Sequence, residues 1–167
     1  MTIPQICSLL QAELLAGGYR YGFTAGGVQY APRIGSGFDA DYDRLARTLY
    51  RVQPPDLTMQ EKIGTCADAV LVMRHLLAPY RIPNKIWLLH RPAGGAVHTV
   101  LTFEAEGQVV YLELTPQSGK PWYGKPLCYP TQEAFLRQFA ADGFEVTEVT
   151  HRIVSGQPPD FLLCKLR

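Results

Sequence analysis

Apolar residues fall at helical spacing in four stretches of the chain. Ile6, Leu9, Leu10 and Leu14 share one face of residues 4–16, with Pro4 suited to a first turn and Gly17-Gly18 ending the pattern. Tyr42, Leu45, Ala46 and Leu49 form the stripe of residues 39–52, which Asp39 or Asp41 caps and Pro54-Pro55 stops. Residues 66–77 carry Ala67, Val70, Leu71, Met73, Leu76 and Leu77. Little of that circumference is polar, so this is expected to be the central buried helix. Phe135, Leu136 and Phe139 mark a helix that opens at Pro130-Thr131 and ends before Gly143. Residues 56–62 read as a short helical turn delivering the chain to Gly64.

Strand-like spacing follows the central helix. Residues 85–90, 97–104 and 108–114 are rich in Val, Ile, Leu, Trp, Tyr and Thr, with glycine or proline between them. They predict an antiparallel meander packed on that helix. Residues 117–130 read as a Gly/Pro loop holding Trp122 and Tyr123. Residues 144–154 and 160–166 read as two closing strands around a Ser-Gly-Gln-Pro-Pro turn. The stretch 19–38, dense in glycine and aromatic residues, fits a hairpin or a long loop equally well. A surface loop with its aromatic rings tucked into the core is favoured over a mobile flap. The pattern as a whole is α+β. With 167 residues and no repeat or linker, one domain is expected.

Composition narrows the partners. Sixteen Lys and Arg nearly cancel 15 Asp and Glu, and no basic stripe suited to nucleic acid is visible. No apolar run reaches membrane-spanning length, and Met1-Thr2-Ile3-Pro4 does not begin a signal peptide. Cys7, Cys66, Cys128 and Cys164 form no CxxC pair. They read as reduced thiols of a cytoplasmic protein.

The chemistry concentrates at Gly64-Thr65-Cys66. Gly64 permits a turn that other residues resist, and Thr65 is placed to cap the helix. Cys66 then lies in the first turn, where free N–H groups and the helix dipole favour a thiolate. His98 and Glu113 lie on successive strands. A two-residue loop Glu106-Gly107 pairs Ala105 with Gln108 and makes Glu113 the diagonal neighbour of His98 on one face. A loop Ala105-Glu106 sets the two directly opposite, and an odd-length loop without a bulge separates them onto different faces. Thiol, imidazole and carboxylate then form a nucleophile, base and orienting group, with first-turn N–H groups as part of an oxyanion hole. Glu113 sits among Val110, Tyr111, Leu112 and Leu114, so it needs solvent or a partner such as His98.

These residues resemble a known group. Lys62-Ile63-Gly64-Thr65-Cys66-Ala67-Asp68, then His98-Thr99-Val100, then Tyr111-Leu112-Glu113 are similar to the transglutaminase-like branch of the papain-like cysteine superfamily. The closer likeness is to its small bacterial members, and it covers residues 54–141. The resemblance implies a papain-like core in which the helix carrying Cys66 packs on an antiparallel sheet. Residues 54–167 would form the catalytic core and 1–53 an N-terminal helical extension. It implies Cys66 as nucleophile, His98 as base and Glu113 as third member. Ala67 stands where an aromatic is expected, and Glu113 where many members carry Asp. Protease, amide-crosslinking, deamidating and acyl-transfer activities all occur in the group, and so do silent members.

Two readings of function follow. One is a thiol-dependent amide or acyl hydrolase or acyltransferase, working through a thioester on a peptide, protein or small amide. The other is a silent domain that binds a peptide or protein. Trp87, Asp68 and Tyr111 are the candidate substrate-binding side chains, although Asp68 also suits a first-turn acid that complements the dipole. His90 is the alternative base. There is no HExxH or CxxC spacing for a metal and no glycine-rich phosphate loop, so no cofactor is expected. The oligomeric state is left open.

Overall fold

The computed structural model describes residues 1–33, 35, 39–94 and 97–159. Its helices are α1 (Ile3–Leu14), α2 (Ala40–Leu49), α3 (Pro55–Glu61), α4 (Cys66–Leu77) and α5 (Gln132–Ala141). Its strands are β1 (Arg20–Tyr21), β2 (Phe23–Ala25), β3 (Val28–Tyr30), β4 (Ile63–Gly64), β5 (Asn84–His90), β6 (His98–Ala105), β7 (Gln108–Leu112), β8 (Pro126–Tyr129) and β9 (Glu145–Glu148).

Five strands form one antiparallel sheet in the order β8-β7-β6-β5-β9. The meander expected from residues 85–114 is its centre. The loop expected over 117–130 ends in β8, because Cys128 and its neighbours pair with β7. The first closing strand is the short β9 alone, and the one expected over 160–166 lies outside the described residues. Ala105 pairs with Gln108 across the Glu106-Gly107 turn. Both turn residues have positive φ, 51° and 71°, as a type I′ hairpin turn requires. This is the even-numbered register that keeps His98 and Glu113 on one face.

The sheet has two different faces. Ile86, Leu88, Leu101, Phe103 and Val110 pack with Val70, Met73 and Leu77 of α4 and Leu10 of α1. Their strand neighbours Trp87, Leu89, Val100 and Tyr111 point the other way, to Phe135 and Phe139 of α5. That second layer is aromatic: Phe135 and Phe139 lie 5.1 Å apart by ring centroid, and Tyr111 and Phe139 5.7 Å. Burying each such side chain contributes roughly 1.5–3 kcal/mol.

Residues 1–53 share the core of α4 through Ile6, Leu10, Leu14, Phe23 and Tyr50. Within 19–38, β2 and β3 form a hairpin. Phe23 at its start is fully buried, stacked on Tyr30 and edge-on to Tyr50. β1 pairs in parallel with β4 and sets Tyr21 opposite Gly64. Gly64 is therefore a strand residue rather than a turn. A Cβ there would lie 3.0 Å from both Asp68 Cβ and Thr58 Cγ2, so close approach explains the glycine. Among the described residues no helix is long and apolar enough to cross a membrane.

Candidate active site

Thr65 is the N-cap of α4, and Asp68 returns the contact by accepting from the Thr65 backbone N–H at 2.9 Å. This reciprocal cap fixes where the helix starts and so puts Cys66 in its first turn. Asp68 also accepts from the Tyr50 hydroxyl at 2.9 Å, the Gln53 N–H at 2.8 Å and the Thr65 hydroxyl at 3.2 Å. One carboxylate thereby ties the end of α2, the segment after it and the cap of α4 together behind Cys66. It is completely buried. Burial raises its carboxyl, against the pull of those donors, to about 6.

His98 opens β6, and Glu113 follows the last residue of β7. By strand alternation His98 lies on the side of Val100 and Glu113 on the side of Tyr111, which is the α5 face. His98 Nε2 donates to Glu113 Oε1 at 2.5 Å. The Tyr111 hydroxyl donates to the same oxygen at 2.6 Å, and the Thr115 N–H to Oε2 at 3.0 Å. Trp122 Nε1 in turn donates to the Tyr111 hydroxyl at 3.4 Å. Glu113, only 2% exposed, thus has three donors, which is what a buried carboxylate requires.

The Cys66 side chain lies beside the His98 ring and helps to raise it. Glu113 occupies Nε2, so Nδ1 is left for the sulfur. Cys66 sits on α4, against the face of Leu101 and Phe103, and the His98–Glu113 pair is on the face of Val100 and Tyr111. Burial disfavours a charged His98 ring. The Glu113 charge and hydrogen bond, and the neighbouring Cys66, outweigh it and raise the ring to about 10. Burial pushes Glu113 up as well, but the His98 charge and hydrogen bond, then Tyr111 and Thr115, bring it down to about 2. The pair is an imidazolium beside a carboxylate. The site is narrow: Cys66 is 7% exposed and the His98 side chain 17%.

The three side chains expected to bind substrate lie in the interior. Asp68 is consumed by the cap. Trp87 packs on Phe135 and donates from Nε1 to the Thr102 hydroxyl at 2.8 Å. Tyr111 is 1% exposed and serves Glu113. The reason is the same for all three: each polar atom finds a partner inside the fold, so the side chain has no unmet need for solvent or ligand. His90, the alternative base, lies at the β9 edge with Nε2 3.2 Å from Glu145 Oε2. His75 and His151 border an open groove of about 470 Å³ with Arg74 and Ser155. His75 is nine residues along α4 from Cys66. Among the described residues no group of three or more His, Cys, Asp or Glu is placed to hold a metal ion.

Tyr50 and Tyr21 had no signal in the linear pattern. Tyr50 bonds both Thr65 Oγ1, at 2.8 Å, and Asp68. Tyr21 enters through the β1–β4 pairing, and its N–H donates to Gln117 Oε1 at 2.9 Å. Burial first, then the charge of nearby Cys66, pushes its hydroxyl well above the usual range. The spacing of Tyr21 from Cys66 carries no periodicity, so only the strand pairing exposes the relation. No family model matches the chain, and no curated protein matches it either.

Proposed function

We propose that this protein is a thiol-dependent acyl-transfer enzyme of the transglutaminase-like, papain-like kind, acting on an amide or related acyl group. The observation that carries the reading is the convergence of Cys66, His98 and Glu113 from three separate elements. Glu113 and His98 are 2.5 Å apart, and Cys66 lies beside the same ring. Structural cysteines seldom meet a buried, carboxylate-paired imidazole at a helix N-terminus.

In this reading the Cys66 sulfur adds to the acyl carbon. The first-turn N–H groups of α4, which lack intrahelical acceptors, face the developing oxyanion. His98 delivers its proton to the departing amine as the C–N bond breaks, leaving a thioester. Water or a second amine then attacks that thioester. His98 takes the attacking proton, and the sulfur leaves. Glu113 keeps the ring oriented and charged, and Tyr111 and Thr115 hold Glu113.

The test is iodoacetamide labelling of Cys66 across pH, followed by a screen with glutamine peptides, amine donors and protease substrates. Cys66 is expected to react at pH 6–7 far faster than a free thiol, whose pKa is ~8.5. His98→Ala should lower both that labelling and turnover by about 10²–10⁴. Cys66→Ala should abolish turnover. Labelling no faster than a free thiol, and indifferent to His98→Ala, would leave a binding fold without the chemistry.

A further inference from the structure

Two other cysteines lie on α1 and on β8, the edge of the sheet farthest from β9. We propose that Cys7 and Cys128 form a redox-responsive dithiol, closed to a disulfide by exchange with a small-molecule disulfide such as oxidised glutathione. The bond would tie α1 to the edge strand β8. It is independent of the chemistry proposed for Cys66.

The anchoring of α1 carries the inference. The Ile3 N–H donates to Glu106 Oε2 at 2.6 Å, in the turn that begins β7. The Gln11 side-chain amide donates to the Gly124 carbonyl at 2.8 Å. The Gly124 N–H in turn donates to the Glu113 carbonyl at 3.0 Å, just past the end of β7. The helix therefore runs alongside β7, pinned near both ends of that strand. Ile3, Cys7 and Gln11 are four residues apart and share one side of the helix. Cys7 is midway between the two pins, about 6 Å of helix rise from each.

Val110 is the middle residue of β7, and Cys128 is its partner on β8. Directly paired residues present their side chains on the same face. Val110 belongs to the core that contains Cys7, so Cys128 is on the α1 side of the sheet and level with Cys7. Burial first, then charge on Cys128, pushes the Cys7 thiol up to about 11. Both are free thiols, Cys7 buried and Cys128 exposed.

That asymmetry assigns the roles. The Cys128 thiolate attacks one sulfur of the small disulfide and expels the other as a thiolate, leaving a mixed disulfide on Cys128. Cys7 then loses its proton to solvent and attacks the Cys128 sulfur, expelling the second small thiolate. The small disulfide is reduced to two thiols as the two cysteines are oxidised to one disulfide. Because Cys7 holds its proton tightly, the second step is slow and accelerates about tenfold per pH unit below the Cys7 value.

The full chain is incubated with oxidised glutathione, blocked with N-ethylmaleimide, digested without reduction and mapped by mass spectrometry. A peptide pair joined through Cys7 and Cys128 is expected. It should be preceded by glutathionylated Cys128, form about ten times faster at pH 8 than at pH 7, and disappear with dithiothreitol. In a Cys66→Ala/Cys164→Ser chain, oxidation should raise Tm by several degrees. Cys128→Ser, at an exposed position, should remove that rise. Cys128 halted at the mixed disulfide at pH 8, with Cys7 still free to alkylate after denaturation, would overturn the proposal. So would Cys128 joined to Cys66 or Cys164 instead.

Discussion

Two buried carboxylates flank Cys66, and they behave in opposite ways. Asp68, on the helix side, is completely buried and accepts from four donors, all of them uncharged. Its carboxyl is raised to about 6. Glu113, on the strand side, is almost as buried and accepts from three donors, one of them the imidazolium of His98. Its carboxyl is lowered to about 2. The number of hydrogen bonds does not explain the difference, because Asp68 has more. A full opposite charge offsets desolvation, and neutral dipoles at these distances offset only part of it. The helix side thus holds Cys66 by a cap, and the strand side holds His98 by an ion pair.

The largest expected effect is that of Glu113→Gln, which leaves the His98 charge buried without its carboxylate partner. Near pH 5.5 it should lower unfolding stability by about 3–5 kcal/mol, read from urea denaturation. His98 titrates higher folded, about 10, than unfolded, ~6.5. Its contribution is therefore complete below ~6.5 and fades as pH rises through about 10. Glu113 titrates lower folded, about 2, than unfolded, ~4.3, and its contribution fades as pH falls toward 2. The gap between the two proteins should be widest between those unfolded values and should close at both ends. A gap independent of pH would break the ion-pair account.

Asp68→Asn probes the other carboxylate. Asp68 titrates higher folded, about 6, than unfolded, ~3.9, so the native state holds its proton more firmly. Its share of stability is complete below ~3.9 and is lost as pH rises through about 6, a fall of at most about 3 kcal/mol. Replacement by Asn should flatten that slope, whatever it does to the absolute value. A slope of the same size in the variant would assign it to other groups.

Tyr111→Phe should be the mildest. It removes one donor to Glu113 and the acceptor for Trp122, at about 1.5 kcal/mol. The His98–Glu113 contact remains, so Cys66 labelling should change by less than tenfold. A loss as large as that of His98→Ala would make Tyr111 part of the reacting set.

The helices were legible because each has a stripe and a stop: Leu10 and Leu14 before Gly17-Gly18, and Phe135 and Phe139 before Gly143. The shared face was legible too, since either two-residue loop puts His98 and Glu113 on a single face, and the pairing of Ala105 with Gln108 selects Glu106-Gly107. The helix α3 was visible only as a turn, and β8 not at all. Its four residues include Pro126 and an exposed Cys128, and they gain strand geometry only from pairing with β7. Asp68, Trp87 and Tyr111, the candidate substrate-binding side chains, are buried with internal partners. A polar atom on an apolar element reads alike in sequence whether it meets ligand or a buried partner.

By itself, the sequence determined the period of α1, α2, α4 and α5 and of the β5–β7 meander, the caps that start α4 and α5, and the candidacy of Cys66, His98 and Glu113. Those are local facts, carried by residues within a turn or a hairpin of one another. The tertiary structure decided that His98 lies on the face of the sheet opposite the helix of Cys66, that Tyr50 and Gln53 close around Asp68, and that β1 docks beside Gly64. Each depends on partners far apart in the chain, and nothing in local spacing fixes which buried donor will meet which carboxylate.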